Sequence, residues 1–505
     1  MNMPDQLLTV SAATLVLGLG ETGLAAARWC QRSGHAVRVA DTRPVPPALE
    51  RARSMLDKAE LCLGLDVFDE PLLDGVSQVV VSPGLALDSA AMAPLMHAAK
   101  ARGIPVVGEI ELFAQALQTL RASQAYAPDV LAITGTNGKT TVTALTTWLL
   151  NAAGRTAIAA GNIGPAALDA LMRALDEDVL PQVWVLELSS FQLESVSSLE
   201  PTAATVLNVT EDHLDWHGTL DAYAATKARI FSRARRIIVN RSDVRVRAMV
   251  PRLEALEVCS FGVDEPRLAG DLGLESNGGM TWLAESALDD FGREPAPRRK
   301  KGDAPLEREA GRLNRLMPAD ALQIRGRHNA LNALAALLLA RSLELSWGPL
   351  LRALREYRGE PHRVEWLRTI GGVDFIDDSK GTNVGATLAA LQGLGCPVVL
   401  IAGGDGKGQD FSPLAPAVAQ HARAVVLIGR DARRIDEALA PSGIARVHEQ
   451  TLPAAVSRAM ELAQPGDAVL LSPACASLDM FTDYRQRAQV FADAVTDLAL
   501  ERGEV

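Results

Sequence analysis

Along most of the chain, short runs of β-branched residues alternate with longer stretches rich in Ala and Leu. Parallel sheets covered by helices impose this pattern, because strands buried on both faces read as continuous apolar runs. Three blocks separate on this basis. The first, from about Thr14 to Leu120, predicts strands at Thr14–Leu17, Ala36–Ala40, Gln78–Val81 and Pro105–Val107, and Arg121–Pro128 reads as a polar connector. The second opens with a strand at Val130–Thr134, a Gly-rich turn and a helix from about Lys139 to Ala153. Its further strands are predicted at Val183–Leu186, Thr205–Leu207 and Arg236–Val239. The third begins near Pro361, with strands at Val373–Ile376, Pro397–Ile401, Ala424–Ile428 and Ala468–Leu471 and a closing helix from about Asp479. The expected fold class is α/β, in three domains spanning 1–120, 121–359 and 360–505. Asp289 to Pro318 is rich in Arg, Lys, Glu and Pro, lacks either periodicity and is expected to be a mobile insertion in the second domain. Within it Arg298–Lys301 offers a basic arm, but acidic residues on both sides favour a solvated loop.

A chain of 505 residues exceeds one ordinary core, which agrees with several domains. Residues are 48% hydrophobic but only 4% aromatic, so Ala, Leu and Val must fill the cores. The net charge of -11 argues against a nucleic-acid surface, which needs Lys and Arg in excess. Any anionic ligand must therefore be held locally, by loops and helix ends. Cys30, Cys62, Cys259, Cys396 and Cys475 are scattered and form no C-x-x-C pair, which fits a reducing compartment. Met1 to Val10 has no basic n-region and carries Asp5, so it does not read as a signal peptide. Ala330 to Ala340, the most apolar helical stretch, falls short of the ~18 residues that a membrane span needs. A cytoplasmic protein without membrane insertion is expected.

Two segments have the form of phosphate loops. Gly18-Leu19-Gly20-Glu21-Thr22-Gly23 follows a predicted strand and opens a helix, and Asp41 ends the next strand, which matches the dinucleotide fingerprint. Glycines there let the backbone approach a diphosphate at a helix N-terminus, although a tight turn without a ligand has the same spacing. The second segment, Gly135-Thr136-Asn137-Gly138-Lys139-Thr140-Thr141, departs from the strict Walker A pattern, having Ile133 where glycine is required. Its physical parts survive: a nest of N–H groups, Lys139 for the outer phosphates and a Thr140 hydroxyl for Mg²⁺. Glu187, ending a buried strand at the carboxyl edge of the sheet, suits Mg²⁺ as a hard oxygen ligand, or else partners Ser189 or Ser190 at a helix start. His213 follows the next strand; a lone His is more often a structural hydrogen-bonder. Lys227, on a helix from about Leu220, reads as a solvated surface lysine. An NAD-dependent oxidoreductase would explain the first loop and leave the second unused. A GTPase-like module lacks a guanine-specifying Asn-Lys-x-Asp element.

Gly135-Thr136-Asn137-Gly138-Lys139-Thr140 resembles the shortened P-loop of the Mur ligases and folylpolyglutamate synthetases. Gly161-Asn162-Ile163-Gly164, Glu187–Leu193, Asn208–Asp215, Gly326-Arg327-His328-Asn329 and Asp378–Asn383 resemble later signatures of that family, in the right order. The similarity covers all three blocks, with 289–318 outside it. Asp41-Thr42-Arg43, Pro361-His362-Arg363, Gly403–Lys407 and Ser472–Asp479 are similar to the branch that adds D-glutamate. The Asp-Asn-Pro-Arg signature of the enzymes adding a diamino acid is absent, and Gly381 stands where alanine is usual.

The resemblance implies Rossmann-like first and third domains flanking a P-loop ATPase-like domain with a mostly parallel sheet. It implies an ATP-dependent amide-bond ligase that activates the carboxylate of UDP-N-acetylmuramoyl-L-alanine as an acyl phosphate and adds D-glutamate, a cytoplasmic step of peptidoglycan synthesis. The nearest alternative is a folylpolyglutamate-type ligase with another acceptor, which should not need the N-terminal diphosphate loop. By the same resemblance, Gly20, Glu21, Thr22 and Gly23 take the UDP diphosphate, Thr42 and Arg43 lie near the uracil, and Asp41 belongs to the same UDP-substrate site rather than to an NAD ribose. Ser82, Pro83 and Gly84 join that site, and Asn162 contacts the muramoyl-alanine part. Gly135 to Thr141 hold the ATP phosphates, Asn329 and Asn332 face adenine, and Arg363, Asp378 and Lys380 complete the nucleotide site. Thr382, Lys407, Ser477, Leu478 and Tyr484 are the D-glutamate candidates, Tyr484 the weakest because an aromatic after Phe481 on a closing helix is usually core. Lys139, Glu187, His213, Lys227 and Lys380 form the catalytic set. Thr140, Glu187, His213 and a CO₂-carbamylated Lys227 are the implied ligands of two Mg²⁺ ions. A monomer is expected.

Overall fold

The computed structural model describes residues 13–87, 89–288 and 307–504. The expectations for Met1–Val10 and for Arg298–Lys301 lie outside the described residues. Backbone contacts group the chain into two compact units: Met1–Thr134, Gly154–Val206 and Asp215–Ile237 form the first, and Gly135–Ala153, Leu207–Leu214 and Ile238–Val505 the second. The chain therefore passes between units immediately before the second Gly-rich turn.

In the first unit, β1 (Ala13–Leu17), β2 (Val37–Asp41), β3 (Glu60–Leu63), β4 (Val76–Val81) and β5 (Val106–Gly108) form a parallel sheet in the order β3-β2-β1-β4-β5. The order reverses at β1, so the turn that leaves its carboxyl end lies where open α/β sheets bind ligands. Leu15, Leu17 and Val79 are fully buried. The same unit carries β6 (Asp129–Thr134), β7 (Ala157–Gly161), β8 (Val183–Glu187) and β9 (Ala203–Val206), parallel in the order β9-β6-β8-β7. Two described strands of this unit escape the sequence pattern for physical reasons. β3 is a partly exposed edge strand, and β7 is Ala-Ile-Ala-Ala-Gly, a helix-forming composition held extended by its neighbour β8. Arg121–Pro128 is not wholly a connector: the helix Glu109–Gln124 runs through its first residues and ends at Ala125, which is left-handed at φ 53°. Glu109 is buried and accepts a 2.6 Å hydrogen bond from the Leu168 N–H, in the first turn of the helix Ala167–Asp176.

In the second unit, β10 (Arg236–Asn240, which begins in the first unit), β11 (Val258–Phe261), β12 (Leu272–Asn277), β13 (Met280–Ala287) and β14 (Arg312–Pro318) follow the order β14-β13-β12-β11-β10. β12, β13 and β14 are antiparallel. The expectation of an irregular 289–318 is corrected over its last residues, because Arg312–Pro318 pairs along β13 and Arg315 forms an ion pair with Glu275 at 2.6 Å. Neighbouring strands thus supply an order that the local composition hides. The helix Lys139–Ala152 packs beside the helix Arg327–Arg341, and Trp148 donates its indole N–H to the Ala353 carbonyl at 2.9 Å.

The C-terminal sheet of this unit comprises β15 (Glu365–Ile370), β16 (Val373–Asp377), β17 (Val398–Gly403), β18 (Ala422–Ile428), β19 (Ala445–His448) and β20 (Ala468–Leu471). Its order is β15-β16-β20-β17-β18-β19, with only β15 antiparallel. The closing helix begins at Tyr484 rather than Asp479, because Asp483 caps it by accepting from the Gln486 N–H at 2.8 Å. No described helix is long and apolar enough to cross a membrane.

Candidate active site

The first Gly-rich turn leaves β1 and enters the helix Glu21–Arg32, whose first turn has no side-chain cap. A Cβ on Gly23 would lie 1.9 Å from the Gly18 carbonyl oxygen, so only glycine lets the helix start this close to the strand. Ser82 Oγ donates to that same carbonyl at 3.0 Å. Asp41 is occupied on both oxygens: Oδ2 accepts from the Leu19 N–H and Arg43 Nη2, each at 2.7 Å, and Oδ1 accepts from the backbone and Nε of Arg43 at 2.8 and 2.9 Å. Burial alone would raise its pKa, but these bonds outweigh it and hold the carboxyl below its ordinary value. Asp41 therefore serves to shape the turn. Thr22 and Pro83 are half-buried around it, while Glu21, Thr42 and Gly84 are exposed.

The second turn is clamped by Asn208. Its side-chain oxygen accepts from the Asn137 N–H at 2.8 Å, its amide donates to the Asn137 carbonyl at 3.0 Å, and its own carbonyl accepts from the Thr136 N–H at 3.0 Å. Lys139 folds back and donates to the Gly135 and Thr136 carbonyls at 2.9 and 2.8 Å. Gly138, at φ 82°, would place a Cβ 2.6 Å from Asn332 Oδ1, so the loop lies directly against that asparagine. Arg363 Nη2 donates to Thr140 Oγ1 at 2.6 Å, and Asn383 donates to Asn137 at 3.1 Å.

Above this turn lies a cavity of about 230 Å³. Asn137, Gly138 and Thr141 of the loop, Asn329 and Asn332 of the following helix, and Arg363, Asp378 and Lys380 all line it. Eight residues assigned to the nucleotide from sequence thus converge on one cavity. Burial pushes the Asp378 carboxyl up to about 7, against a 2.7 Å hydrogen bond from Ser472 and the nearby Arg363 guanidinium. Asn208, Asn240, Phe261 and His328 line the same cavity and had no site role on sequence grounds. Asn240 is a strand end that donates to the Leu207 carbonyl at 2.8 Å, and Phe261 reads as core, so neither carries a local signal. Burial drives the His328 pKa down to about 4, which leaves the imidazole neutral.

Glu187 ends β8 and is buried. Oε1 accepts from Asn162 Nδ2 at 2.7 Å, whereas the buried Oε2 has no hydrogen-bond partner among the described residues. A buried carboxylate oxygen left unsatisfied by protein suits a hard cation, so the residue fits Mg²⁺. The helix-cap alternative fails, because Ser189 and Gln192 form a reciprocal capping box on their own. Lys227 is not a surface lysine. It is fully buried, with Nζ 3.5 Å from Thr134 Oγ1 and 4.4 Å from the centre of the Tyr223 ring. The i, i+4 spacing of Tyr223 and Lys227 turns one face of the helix Leu220–Ala228 inward, which composition alone does not reveal. His213 adopts φ 54°, with its half-exposed ring 3.6 Å from Asp212.

Among the amino-acid candidates, the loops of Lys407 and Ser477 are joined by paired backbone bonds between Asp405 and Ala476, at 2.8 and 3.0 Å. Lys407 is exposed at φ 49°, Ser477 is buried, Thr382 is half-buried and the Leu478 side chain is exposed. Tyr484 is not core: at the start of its helix, its ring lies 5.2 Å from Lys380 Nζ and 6.2 Å from the His362 ring. Arg487, which the sequence did not single out, is fully buried and donates to the Ser379 carbonyl at 2.7 Å and the Cys475 carbonyl at 3.1 Å. It ties the segment of Asp378 and Lys380 to that of Ser477.

Two Gly-rich strand-to-helix turns on largely parallel sheets mark the class as an α/β protein. Family models match most of the chain: the N-terminal domain of MurD-like Mur ligases over residues 12–108, the Mur ligase middle domain over 133–340, and the Mur ligase glutamate ligase domain over 362–475. The chain belongs to the Mur ligase family. It is 61% identical to the UDP-N-acetylmuramoylalanine–D-glutamate ligase of Bordetella parapertussis over all of both chains, and 56% identical to that of Ralstonia nicotianae over 98% of each. Among solved structures, UDP-N-acetylmuramate-alanine ligase from Thermotoga maritima shares the fold at a TM-score of 0.55, with 19% identity over 96% of this chain and 99% of that one. MurF ligase from the same organism, in complex with ADP, shares it at 0.57, with 14% identity over 98% and 100%.

Proposed function

We propose that this chain joins D-glutamate to the terminal carboxylate of UDP-N-acetylmuramoyl-L-alanine, converting ATP to ADP and phosphate, in the cytoplasmic assembly of peptidoglycan precursors. The reading is carried by the convergence of Asn137, Gly138, Asn329, Asn332, Arg363 and Asp378 on one cavity against the Gly135–Thr141 turn, in a chain 61% identical throughout to a ligase of that name. Residues 1–120, 121–359 and 360–505 are taken as the UDP-substrate, ATP and amino-acid domains, a division that the spans of the three family models support.

The chemistry follows from the weakness of a carboxylate as an electrophile. Its oxygen attacks the γ-phosphorus, ADP leaves, and the resulting acyl phosphate offers phosphate as a leaving group. The D-glutamate nitrogen then attacks the acyl carbon, and the tetrahedral intermediate expels phosphate. Such a site needs positioning and charge neutralisation more than a covalent nucleophile. Lys139, released from the Gly135 and Thr136 carbonyls, supplies a cation to the β- and γ-phosphates, and Arg363 a second one beside Thr140. Asn329 and Asn332 present amides to adenine, and Lys380 lines the same cavity. Gly20 to Gly23 present the uncapped helix start to the UDP diphosphate, with Thr42, Arg43, Ser82, Pro83 and Gly84 around it. Asn162 takes the muramoyl-alanine part, and Thr382, Lys407, Ser477, Leu478 and Tyr484 hold D-glutamate, Lys407 by charge and the hydroxyls by hydrogen bonds.

Thr140, Glu187, His213 and Lys227 as a carbamate are the residues that would hold two Mg²⁺ ions. Bound there, Mg²⁺ would neutralise charge on the transferring phosphoryl group. Carbamylation of Lys227 is supported by electrostatics: a buried ammonium repels Mg²⁺, and a carbamate attracts it. We take the chain to act as a monomer.

The test is phosphate release with ATP, Mg²⁺ and UDP-N-acetylmuramoyl-L-alanine, comparing D-glutamate, L-glutamate and meso-diaminopimelate. Release that depends on D-glutamate is expected. Equal or greater release with either competitor overturns the assignment.

A further inference from the structure

Between the nucleotide cavity and Tyr484 runs a strained segment, Pro361 to Val364. His362 and Val364 adopt φ of 64° and 50°, a left-handed conformation that is costly for a β-branched residue and persists only where surrounding bonds enforce it. Those bonds are present: the His362 N–H donates to Glu365 Oε2 at 2.7 Å, and the Val364 N–H to Asp378 Oδ1 at 3.3 Å. The consequence is directional. Arg363 is aimed at Thr140 Oγ1, while the His362 ring is set against the buried Asp377, with Nδ1 2.7 Å from Oδ2. Asp377 is itself fixed, its Oδ1 accepting from the Ser379 N–H and hydroxyl at 2.9 and 2.5 Å.

A carboxylate that accepts from Nδ1 fixes the proton there and leaves Nε2 as a lone-pair acceptor. Nε2 has no hydrogen-bond partner among the described residues, and the side chain retains 30% exposure. Asp377 and Glu365 are the carboxylates facing the ring; Tyr484 lies across from it, and Lys380 Nζ stands over the Tyr484 ring. A His oriented by a buried Asp, one residue from a contact to the phosphate loop and against an amino-acid candidate, has the arrangement of a general base.

We propose that His362 is the base that deprotonates the incoming amino acid, with Asp377 as its positioning residue. The proposal rests on the ligase reading above. D-glutamate arrives as an ammonium ion; one N–H proton passes to Nε2, the freed lone pair forms the C–N bond, and the C–O bond to phosphate breaks with its electrons on oxygen. The second proton leaves the tetrahedral intermediate with the departing phosphate.

The experiment uses the full chain with ATP, Mg²⁺ and the UDP precursor, and compares D-glutamate with hydroxylamine, which is neutral near pH 7 and needs no base. For His362→Gln, the ratio of amide to hydroxamate formation should fall about 100-fold, the usual worth of general-base catalysis, and the limb of the amide rate that rises with pH on the acid side should vanish. Asp377→Asn keeps the imidazole but forces the opposite tautomer, so it should lower the same ratio and carries the test should His362→Gln fail to fold. Equal slowing of both nucleophiles, or a retained acid limb, overturns the inference. Absence of ATP-dependent hydroxamate in the unsubstituted chain is a different result, which overturns the ligase reading and this inference with it.

Discussion

The two Gly-rich turns begin alike, each leaving a buried parallel strand and opening a helix, yet their surroundings offer a ligand different groups. At Gly18–Gly23 the Asp41 carboxylate is consumed by Arg43 and the Leu19 N–H, and the loop carries no lysine. Such a turn can hold a diphosphate and leave it unchanged. At Gly135–Thr141, Lys139 is held by carbonyls that a phosphate would outbid, Arg363 reaches the Thr140 hydroxyl, and a cavity adjoins the loop. Phosphoryl transfer needs cations facing the loop; glycine spacing alone makes only a cradle.

The largest effect should come from the cation. Lys139→Ala is expected to lower phosphate release about 1,000-fold or more with little change in melting temperature; retained activity would reduce the second turn to a cradle like the first. Next, Lys227→Ala should lose most activity and regain part of it with added short-chain carboxylates. Full activity without rescue would remove the carbamate from the account. A smaller effect separates two glycines of the first turn. Gly23→Ala drives a methyl into the Gly18 carbonyl and should destabilise the chain by about 1–3 kcal/mol while raising KM for the UDP precursor. Gly20→Ala meets nothing within 4 Å and should leave the melting temperature unchanged. Equal melting temperatures would remove the steric argument.

The smallest effect compares two buried carboxyls that burial raises to about 7, Glu109 in the unit of the first turn and Asp378 in that of the second. Folded Glu109 keeps a proton that the unfolded chain releases near 4.5, so stability should fall as pH rises from about 4.5 to 7. The loss should be at most about 3 kcal/mol. Glu109→Gln should flatten that slope in pH-dependent melts without altering nucleotide affinity, whereas Asp378→Asn should weaken nucleotide binding.

Much of this contrast was legible in the residues. Strands with β-branched runs were found within a residue or two, and the residues assigned to the nucleotide, which converge on one cavity, sit in short motifs where chemistry dictates residue type. What escaped was set by distant partners. β7 is Ala-rich and extended only because β8 pairs with it, and β14 lies in a segment of loop-like composition. The burial of Lys227, the Asn208 clamp and the Arg487 tie each depend on which elements the fold brings together. Tyr484, kept as a candidate although an aromatic there is usually core, lies half-buried beside Lys380 and His362 rather than in the core.

The most direct test is a crystal soaked with a non-hydrolysable ATP analogue and the UDP precursor together. The triphosphate is expected on the Gly135–Thr141 turn with Lys139 on its outer phosphates, and the UDP diphosphate at Gly20–Gly23. A Lys139 turn without nucleotide, or nicotinamide dinucleotide bound in preference at the Gly20 turn, would contradict the account.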